Sequence, residues 1–346
     1  MARGKNKIGF GIIGAGAIAQ LHAKCIQELD QAQLIGVASA SSKRAVENQP
    51  FFTVPVTSSY TELIANDKVE IICICTPSGM HLEPGEEAAR YGKHVLCEKP
   101  LEITTRRSDR LITACRKAGV KLGCVFQNRL NPHFIRLKEG CSKGIFGRLV
   151  LANAYVPWYR EPSYYRTSVW KGTLKGDGGA ALINQGIHTL DLMLNIMGMP
   201  VSVYAQTSTL VHQIEGEDLA QALLEFESGA KGAVLASTCL KPGYPERLEV
   251  YGEKGSAILE GGRLKSWNVN GSIGAEGGES GAGSGASDPM AIGHMWHKAQ
   301  IQDMIEAVLH DRSPLVDGGE GRKSVAVIES IYRSAESGAK VLLREA

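Results

Sequence analysis

Three small residues near the start of the chain have the spacing of a turn that can hold a pyrophosphate. They are Gly14, Gly16 and Ala19, in the pattern G-x-G-x-x-A of the segment GAGAIA. Gly14 would allow a tight turn, Gly16 would let the backbone approach the pyrophosphate, and Ala19 would let a helix pack close to a strand. The N–H groups at the start of that helix, at Ala17 and Ile18, would point at the phosphates. The spacing therefore predicts a dinucleotide site.

The second strand of the pattern ends in Ser39, where an acidic residue usually binds the ribose of NAD. The hydroxyl groups of Ser39 and Ser41 can donate hydrogen bonds to a 2′-phosphate, and Lys43 or Arg44 could supply positive charge. Alternatively, Lys43 and Arg44 begin an exposed helix and contact no cofactor. These residues slightly favour NADP and leave NAD open.

The elements that position this turn follow from the apolar pattern. Residues Ile8–Ile13 are continuously apolar, which is typical of a parallel strand covered on both faces. Strands are predicted over 69–76, 93–98 and 120–126, and helices over 83–91 and 108–118. This alternation predicts an α/β fold with a doubly wound parallel sheet, in which the cofactor lies beyond the carboxyl ends of the strands. The residues predicted at that edge are Thr76, Pro77, Glu98 and Lys99.

The segment 158–173, WYREPSYYRTSVWKGT, is rich in aromatic and basic side chains. Sugars stack their C–H faces on aromatic rings, and their hydroxyl groups accept hydrogen bonds from Arg, Lys and Tyr. The candidates for a substrate pocket are Arg160, Tyr164, Tyr165, Arg166, Trp170 and Lys171. An ordinary aromatic loop core is the alternative. The cationic groups favour an anionic or phosphorylated substrate.

The pattern changes after Arg148. Several alternating segments joined by glycine-containing turns predict an antiparallel sheet, one face of which could pack a helix or another subunit. We therefore predict a dinucleotide-binding domain over 1–128 and a domain for substrate binding and oligomerisation over 129–346, whose final helices could pack back on the first domain. The Gly/Ser-rich segment 271–287 is interpreted as a plain insertion, with a mobile flap as the alternative.

Composition argues against several kinds of partner. The chain has 346 residues, of which 43% are hydrophobic and 21% charged, with a net charge of +2. No basic run predicts a nucleic-acid partner, and no segment approaches the about 18 apolar residues that cross a bilayer. Eight cysteines without a C-x-x-C pair predict reduced thiols, a cytoplasmic location and no zinc site. His294 and His297 are interpreted as surface or helix-start residues rather than metal ligands.

Four motifs together resemble the glucose–fructose oxidoreductase/inositol dehydrogenase family, also called Gfo/Idh/MocA. They are GAGAIA, CTPSGMH, CEKPL and GGAALINQGIHTLD, and the segment FQNRLNP also fits. The resemblance covers nearly the whole chain. It implies an N-terminal Rossmann domain and a C-terminal α/β domain built on a large open, mostly antiparallel sheet. It also places His81 and Asn128 among the cofactor-binding residues.

The resemblance implies roles for three residues. Lys99 matches the lysine of the family's E-K-P motif, which reaches the reacting oxygen. His188 matches the histidine that acts as acid or base. The family often has an aspartate four residues before that histidine, whereas this chain has Asn184, which can orient a hydroxyl group but cannot take up a proton. Asn184 and His188 are also expected to contact the substrate.

The activity that the resemblance implies is hydride transfer between NAD(P) and a carbinol carbon of a sugar, polyol or nucleotide sugar. Two alternatives stay open: a redox-neutral enzyme that cleaves glycosides through transient sugar oxidation, and a non-catalytic dinucleotide-binding regulator. The resemblance and the apolar sheet face also predict a homodimer or a homotetramer.

Overall fold

The structure is a computed structural model that describes residues 7–269, 272–274 and 294–343. The chain divides into two compact units. The first consists of Met1–Gln127 and His294–Arg322, and the second of Asn128–Gly293 and Lys323–Ala346. This division differs from the sequence-based one, which assigns all of 129–346 to the second domain, because residues 294–322 group with the first unit.

The first unit contains a parallel sheet with the strand order β3-β2-β1-β4-β5-β6. Its strands are β1 (Ile8–Ile13), β2 (Ala32–Ala38), β3 (Val56–Thr57), β4 (Ile71–Ile74), β5 (His94–Cys97) and β6 (Leu122–Cys124). All six residues of β1 are buried, as its continuous apolar pattern predicts. The order reverses between β1 and β4, and dinucleotides bind at such a reversal in doubly wound sheets. The predicted fold class is confirmed.

Six helices lie wholly within the first unit among the described residues. With all helices numbered in chain order, they are α1 (Ala17–Gln27), α2 (Ser42–Asn48), α3 (Tyr60–Ala65), α4 (Leu82–Arg90), α5 (Thr105–Ala118) and α9 (Met295–Leu309). Ile301 and Met304 of α9 belong to the same hydrophobic cluster as Phe10 and Ile12 of β1. This burial explains why a segment so late in the chain groups with the first unit.

The second unit contains a sheet in which nine strands are described, in the order β14-β13-β12-β11-β7-β10-β9-β8-β15. The strands are β7 (Leu149–Pro157), β8 (Pro200–Ser208), β9 (Leu219–Phe226), β10 (Lys231–Ser237), β11 (Arg247–Gly252), β12 (Gly255–Glu260), β13 (Arg263–Val269), β14 (Ser272–Gly274) and β15 (Val341–Leu342). The described pairs are antiparallel except β7 with β10, which is parallel. The expected mostly antiparallel sheet is confirmed.

The helices of the second unit are α6 (Pro132–Ser142), α7 (Pro162–Arg166) and α8 (Ile187–Met197), and α10 (Gly318–Ser337) belongs to it from Lys323 onward. Helix α8 packs against β7 and β11. Asp191 of α8 is buried and forms an ion pair with Arg129, with both N–O distances at 2.7 Å. The aspartate of the G-x-H-x-x-D motif therefore anchors α8 within its unit.

Three further sequence predictions concern the cysteines, a membrane-spanning segment and the Gly/Ser-rich segment. All eight cysteines are free thiols. Within the described ranges, no helix is long and apolar enough to cross a membrane. The prediction for the Gly/Ser-rich segment 271–287 lies outside the described residues, apart from the strand Ser272–Gly274.

Candidate active site

Gly14 occupies a backbone conformation that requires glycine. Its φ is +104°, in the region that side chains rarely adopt. A Cβ atom at this position would lie 2.3 Å from the carbonyl oxygen of Cys75, on the strand end next to β1. Two features of the predicted tight turn therefore require glycine at position 14: the positive φ and the lack of space for a Cβ atom.

Gly16 has a different environment. It precedes the first residue of α1, no side chain caps that helix end, and an added Cβ would meet no atom within 4 Å. The N–H groups of the first turn of α1 are unsatisfied by the helix itself and favour an anion. Gly16 and Ala17 are exposed, while Ala19 is fully buried beneath them. This open cradle fits the pyrophosphate of a dinucleotide.

The residues after β2 lead from a buried serine into the exposed start of helix α2. Ser39 is buried, and its N–H donates to the carbonyl of Thr57 at 2.8 Å. The hydroxyl of Ser41 caps α2 by accepting from the N–H of Arg44 at 3.3 Å. Lys43 is 86% exposed and lies 3.9 Å from Glu47, one turn later. Lys43 and Arg44 thus begin an exposed helix, and their contact with a 2′-phosphate stays a prediction.

His81 links the loops that follow β4 and β5. Its ring is 1% exposed, with Nδ1 at 2.9 Å from the carbonyl oxygen of Pro100 and Nε2 at 3.1 Å from that of Thr76. The hydroxyl of Thr76 donates to the carbonyl of Met80 at 3.0 Å, which closes the same loop. Pro77 begins the short turn between them. In this geometry the His81 side chain holds backbone segments at the cofactor edge in place.

Glu98 is held by a residue that the sequence pattern does not indicate. Its Oε1 lies 2.8 Å from Nε2 of His22 on α1, and its Oε2 accepts the N–H of Lys99 at 3.2 Å. Burial raises the pKa of Glu98, but the hydrogen bond with His22 and the nearby histidines and Lys99 outweigh it and hold the pKa at about 2. The backbone of Lys99 is thereby tied to α1.

Of the two alternatives in its sequence interpretation, surface or helix start, the structure supports the helix start for His297, which is buried. It lies in the first turn of α9, is 5% exposed, and its ring centroid is 6.1 Å from that of His22. Burial lowers the pKa of His297 to about 4, although the charge of Glu98 opposes this. The sequence does not indicate that this face of α9 packs inside the first unit.

The low pKa of His297 predicts a pH-dependent stability. An unfolded chain takes up this proton near pH 6.5, whereas the folded chain takes it up only near pH 4, so stability falls as pH decreases through this window. We expect the melting temperature to fall less between pH 7 and pH 5 in His297→Gln than in the wild type. Exposed His310→Gln serves as the control and should follow the wild type. An equal fall in all three proteins would contradict a buried neutral imidazole.

In the second unit, a π-helical turn (Ala181–Gly186) leads directly into α8. It carries Asn184, whose amide nitrogen donates to Oδ1 of Asp177 at 2.8 Å. It also carries Gln185, whose amide donates to the hydroxyl of Tyr164 at 3.1 Å. His188 follows in the first turn of α8 and is half-buried. Such π-helical turns are frequent at functional sites, and no sequence motif indicates this one.

A buried carboxylate anchors the start of this turn. Glu217 accepts the N–H groups of Ala180 at 3.2 Å and Leu182 at 2.7 Å, and the hydroxyl of Tyr332 donates to it at 3.0 Å. Burial raises the pKa of Glu217, while these hydrogen bonds oppose the shift. The position of the Asn184 and His188 backbone therefore depends on two distant residues that no local motif reveals.

A cavity of about 700 Å³ lies in the second unit. Its walls come from the segments 162–173 and 211–215. Of the substrate-pocket candidates, Tyr165, Arg166 and Lys171 line it. The amine of Lys171 lies 3.9 Å from the ring centroid of Tyr164. Burial lowers the pKa of Lys171. The cavity thus combines aromatic surface with two cationic side chains.

The other candidates lie behind the cavity. Arg160 is 3% exposed and stacks on the rings of Trp158 and Tyr164, at 4.9 and 5.6 Å from their centroids. Trp170 is half-buried, and its carbonyl accepts the hydroxyl of Thr173 at 2.7 Å. For Arg160 the structure shows the packing role of an aromatic loop core. Direct substrate contact by Arg160 or Trp170 stays a prediction.

The opposite wall of the cavity is built on a buried carboxylate. Asp218 accepts the N–H groups of three consecutive residues, each at 2.8 Å: Leu210, Val211 and His212. His212 lines the cavity, and its Nε2 lies 3.0 Å from the carbonyl oxygen of Thr238. Sequence reasoning missed this wall because its residues, 211–215, lie 38 or more positions beyond the end of the aromatic segment. Within the described ranges, no group of three His, Cys, Asp or Glu side chains could hold a metal ion.

Two family models match separate parts of the chain. Residues 8–126 match an oxidoreductase family with an NAD-binding Rossmann fold, and residues 134–258 match the GFO/IDH/MocA C-terminal domain. Together these matches cover more than half of the sequence. The chain belongs to the Gfo/Idh/MocA family of oxidoreductases.

Three proteins show what this Gfo/Idh/MocA chain is similar to. The myo-inositol 2-dehydrogenase of Thermotoga maritima is 31% identical over 261 residues, which are 72% of this chain and 75% of that protein. The scyllo-inositol 2-dehydrogenase (NADP(+)) of Bacillus subtilis is 25% identical over 265 residues, which are 75% and 72% of the two proteins. The structure of the WlbA dehydrogenase from Bordetella pertussis, in complex with NADH and UDP-GlcNAcA, is 31% identical with a TM-score of 0.87, and the match covers 99% of this chain and 100% of that one.

The described residues of this Gfo/Idh/MocA oxidoreductase provide a dinucleotide cradle in the first unit. The second unit provides a half-buried histidine beside an amide that is held by a carboxylate. Lys99 is half-buried after β5, and Asn128 lies in a short turn (Gln127–Leu130) in which its carbonyl accepts the N–H of Asn131 at 3.2 Å. The roles of these residues in cofactor binding and catalysis are proposals, developed below.

Proposed function

We propose that this protein is an NAD(P)-dependent dehydrogenase that oxidises or reduces a carbinol carbon of a sugar, polyol or nucleotide sugar. The observation that carries the proposal is the π-helical turn that holds Asn184 and leads directly into the first turn of α8 with His188. Through Gln185 this π-helical turn contacts the aromatic and cationic segment around the cavity. Gln185 of this turn bonds to Tyr164, and the Lys171 amine lies over the same ring. The inositol dehydrogenase relatives and the sugar-bound WlbA structure support a carbohydrate substrate.

The mechanism that we propose assigns one step to each of three residues. A carbinol carbon can lose hydride only as its hydroxyl proton is removed, and the bound nicotinamide would accept that hydride. His188 takes the proton, because an imidazole exchanges protons near neutral pH. The Lys99 ammonium stabilises the developing alkoxide. Asn184 orients the hydroxyl group or the His188 ring by hydrogen bonding and takes up no proton.

Within this substrate class, the cavity favours an anionic sugar. Arg166 and Lys171 contribute positive charge to its walls, and Glu215, the carboxylate on the lining, already accepts the N–H of Leu174 at 2.9 Å. Guanidinium and ammonium groups bind phosphate and carboxylate oxygens through charge-assisted hydrogen bonds. The WlbA structure, which matches almost the whole chain, contains a nucleotide sugar with a carboxylate. A nucleotide-linked sugar acid is therefore the first substrate to test.

The test is a substrate panel with each cofactor. Sugars, inositols, uronic acids and nucleotide sugars would be assayed with NAD and NADP separately, in both directions, while the absorbance of the reduced nicotinamide is recorded. A net absorbance change with a carbohydrate supports the dehydrogenase. Cleavage of a glycoside without a net change would replace it by the redox-neutral enzyme. Cofactor binding without turnover of any compound would favour a regulator.

We propose NAD(P) as the cofactor, with a slight preference for NADP, and Ser39→Asp tests the preference. A carboxylate at the end of β2 would repel a 2′-phosphate and bind the ribose hydroxyls of NAD. We expect NADP affinity to fall by about tenfold or more, which is about 1.4 kcal/mol, relative to NAD. Titration calorimetry with both cofactors measures the ratio. An unchanged ratio would mean that Ser39 does not face the ribose.

We also propose a homodimer or homotetramer. Leu223 of β9 is 63% exposed, and its neighbours in register are Tyr204 of β8, which is 43% exposed, and Ala233 of β10. Large exposed apolar side chains on one sheet face favour association. We expect light scattering at micromolar concentration to report two or four chains, and Leu223→Lys to shift the distribution toward monomer. A monomeric wild type would contradict the proposal.

The cellular location is proposed from the thiols. All eight cysteines are free, and burial raises the pKa of Cys25 to about 12. Free thiols persist where the glutathione and thioredoxin systems keep them reduced. A cytoplasmic location is consistent with both observations.

A further inference from the structure

Asp177 is a buried carboxylate that forms hydrogen bonds with two site segments of its own unit. It is 1% exposed. Its Oδ1 accepts from the Asn184 amide at 2.8 Å, and its Oδ2 accepts the N–H of Gly172 at 3.0 Å. Its own N–H donates to the carbonyl of Thr173 at 3.0 Å. The carboxylate is therefore fixed between the cavity segment and the π-helical turn.

The contact with Asp177 determines which end of the Asn184 amide faces it. An ionised carboxylate only accepts hydrogen bonds, whereas a carboxamide donates at one end and accepts at the other. The nitrogen of Asn184 must therefore face Asp177. Its oxygen is directed away from Asp177, and an oxygen can only accept. Asp177 thus converts an amide with two possible orientations into an acceptor of fixed direction.

The charge of Asp177 also acts on neighbouring groups. Burial raises the pKa of Tyr164 to about 12, and the Asp177 charge adds to this, while it opposes the lowering of the Lys171 pKa by burial. Hydrogen bonds that involve an ionised partner are stronger than those between neutral groups. The negative charge polarises the Asn184 amide and makes its oxygen a better acceptor.

We propose that Asp177 is a positioning residue that fixes Asn184 as a hydrogen-bond acceptor for the substrate hydroxyl or for His188. This inference rests on the proposed dehydrogenase function and deepens it. The Asp177 carboxylate is not assigned a contact with the reacting atoms. It acts through the amide of Asn184, which lies one helical turn before His188. It takes no part in proton transfer itself. Its position, seven residues before Asn184, follows from the fold and from no motif.

The proposal changes the expected result of Asn184→Asp. If position 184 merely needed a hydrogen-bond acceptor, activity would survive this substitution, because a carboxylate also accepts. The structure places the side chain at 184 within hydrogen-bonding distance of Asp177, so two carboxylates would face each other and repel, or share a proton. Asn184→Asp should therefore impair turnover, unless the charge at 177 is removed at the same time.

The test is a charge exchange between the two positions. Asp177→Asn and Asn184→Asp are expected to lower kcat by about 10- to 100-fold each, the scale of one hydrogen bond to a charged group. The double variant restores one carboxylate and one amide in hydrogen-bonding contact and leaves a carboxylate oxygen as the acceptor. We expect its kcat to return to within about tenfold of the wild type, which is strong positive coupling. KM of Asp177→Asn should change by less than about threefold, since substrate binding is not assigned to Asp177.

The matched control is another buried carboxylate that accepts from an asparagine amide. Oε2 of Glu249 on β11 accepts from Asn153 on β7 at 2.9 Å, within the sheet of the same unit. Glu249→Gln should lower the melting temperature by an amount comparable with Asp177→Asn but leave kcat unchanged. Melting curves of all variants show whether each one is folded under the assay conditions.

The outcomes separate this inference from the proposed function. Suppose that the wild type turns over a panel sugar. Asp177 then has no positioning role if Asp177→Asn has the wild-type kcat. It also has none if the kcat of the double variant is no higher than that of the less active single variant. If Glu249→Gln lowers kcat as much as Asp177→Asn, the effect is a general loss of stability and the inference is also wrong. If the wild type turns over no panel compound, the dehydrogenase proposal fails and this inference fails with it.

Discussion

Lys99→Ala and His188→Ala are each expected to lower kcat by about 10²-fold or more while cofactor binding is retained. Neither side chain is assigned to the pyrophosphate, which is proposed to lie at Gly16 and the start of α1. His188 would take the hydroxyl proton and Lys99 would stabilise the alkoxide, so each variant removes an interaction that strengthens in the transition state. Steady-state rates on the identified substrate measure the loss of kcat, and calorimetric titration measures the retained cofactor affinity.

The double variant distinguishes a shared site from two independent effects. Under the proposed mechanism both groups act on one proton and one oxygen, so Lys99→Ala/His188→Ala should lose less than the product of the single losses. Lys68→Ala and His310→Ala, which change exposed side chains of the same types, are the controls and should keep wild-type rates. Wild-type turnover in both Lys99→Ala and His188→Ala would show that the catalytic assignment is wrong.

Gly16→Val is expected to abolish measurable dinucleotide binding without unfolding the protein. No atom lies within 4 Å of a Cβ at this position, so the valine side chain fits the folded chain. It would fill the space in front of the N–H groups of α1 that the pyrophosphate needs. We expect affinity to fall by about 100-fold or more, about 2.7 kcal/mol, in titration calorimetry with NAD and NADP.

Gly14→Val provides the contrast within the same turn. A Cβ at Gly14 would collide with the backbone of Cys75, and the φ of +104° is unfavourable for any side chain. This variant should lower the melting temperature as well as cofactor affinity, whereas Gly16→Val should lower affinity alone. Unchanged affinity in Gly16→Val would contradict the placement of the dinucleotide.

The local pattern of the sequence determined the parts of the fold that depend on neighbouring residues. The strand Ile8–Ile13 has the bounds that its apolar pattern predicts. Strands β4, β5 and β6 lie within their predicted ranges. Strands that are covered on both faces require continuous apolar runs, and the turn at Gly14 requires glycine. Both features can therefore be recognised in the sequence.

Only the tertiary structure decided what surrounds the proposed catalytic residues. His22 and Glu98 are 76 positions apart, and Glu217 and Tyr332 are 115 apart, so no periodicity relates them. The burial of His297 was left open for the same reason, because a helical pattern does not reveal which unit buries that face. Asp177 is closer to its partner in sequence, but it meets Asn184 only because a π-helical turn directs that amide toward it. Buried polar groups must find partners wherever the fold brings them, and those partners are selected by packing in three dimensions rather than by spacing along the chain.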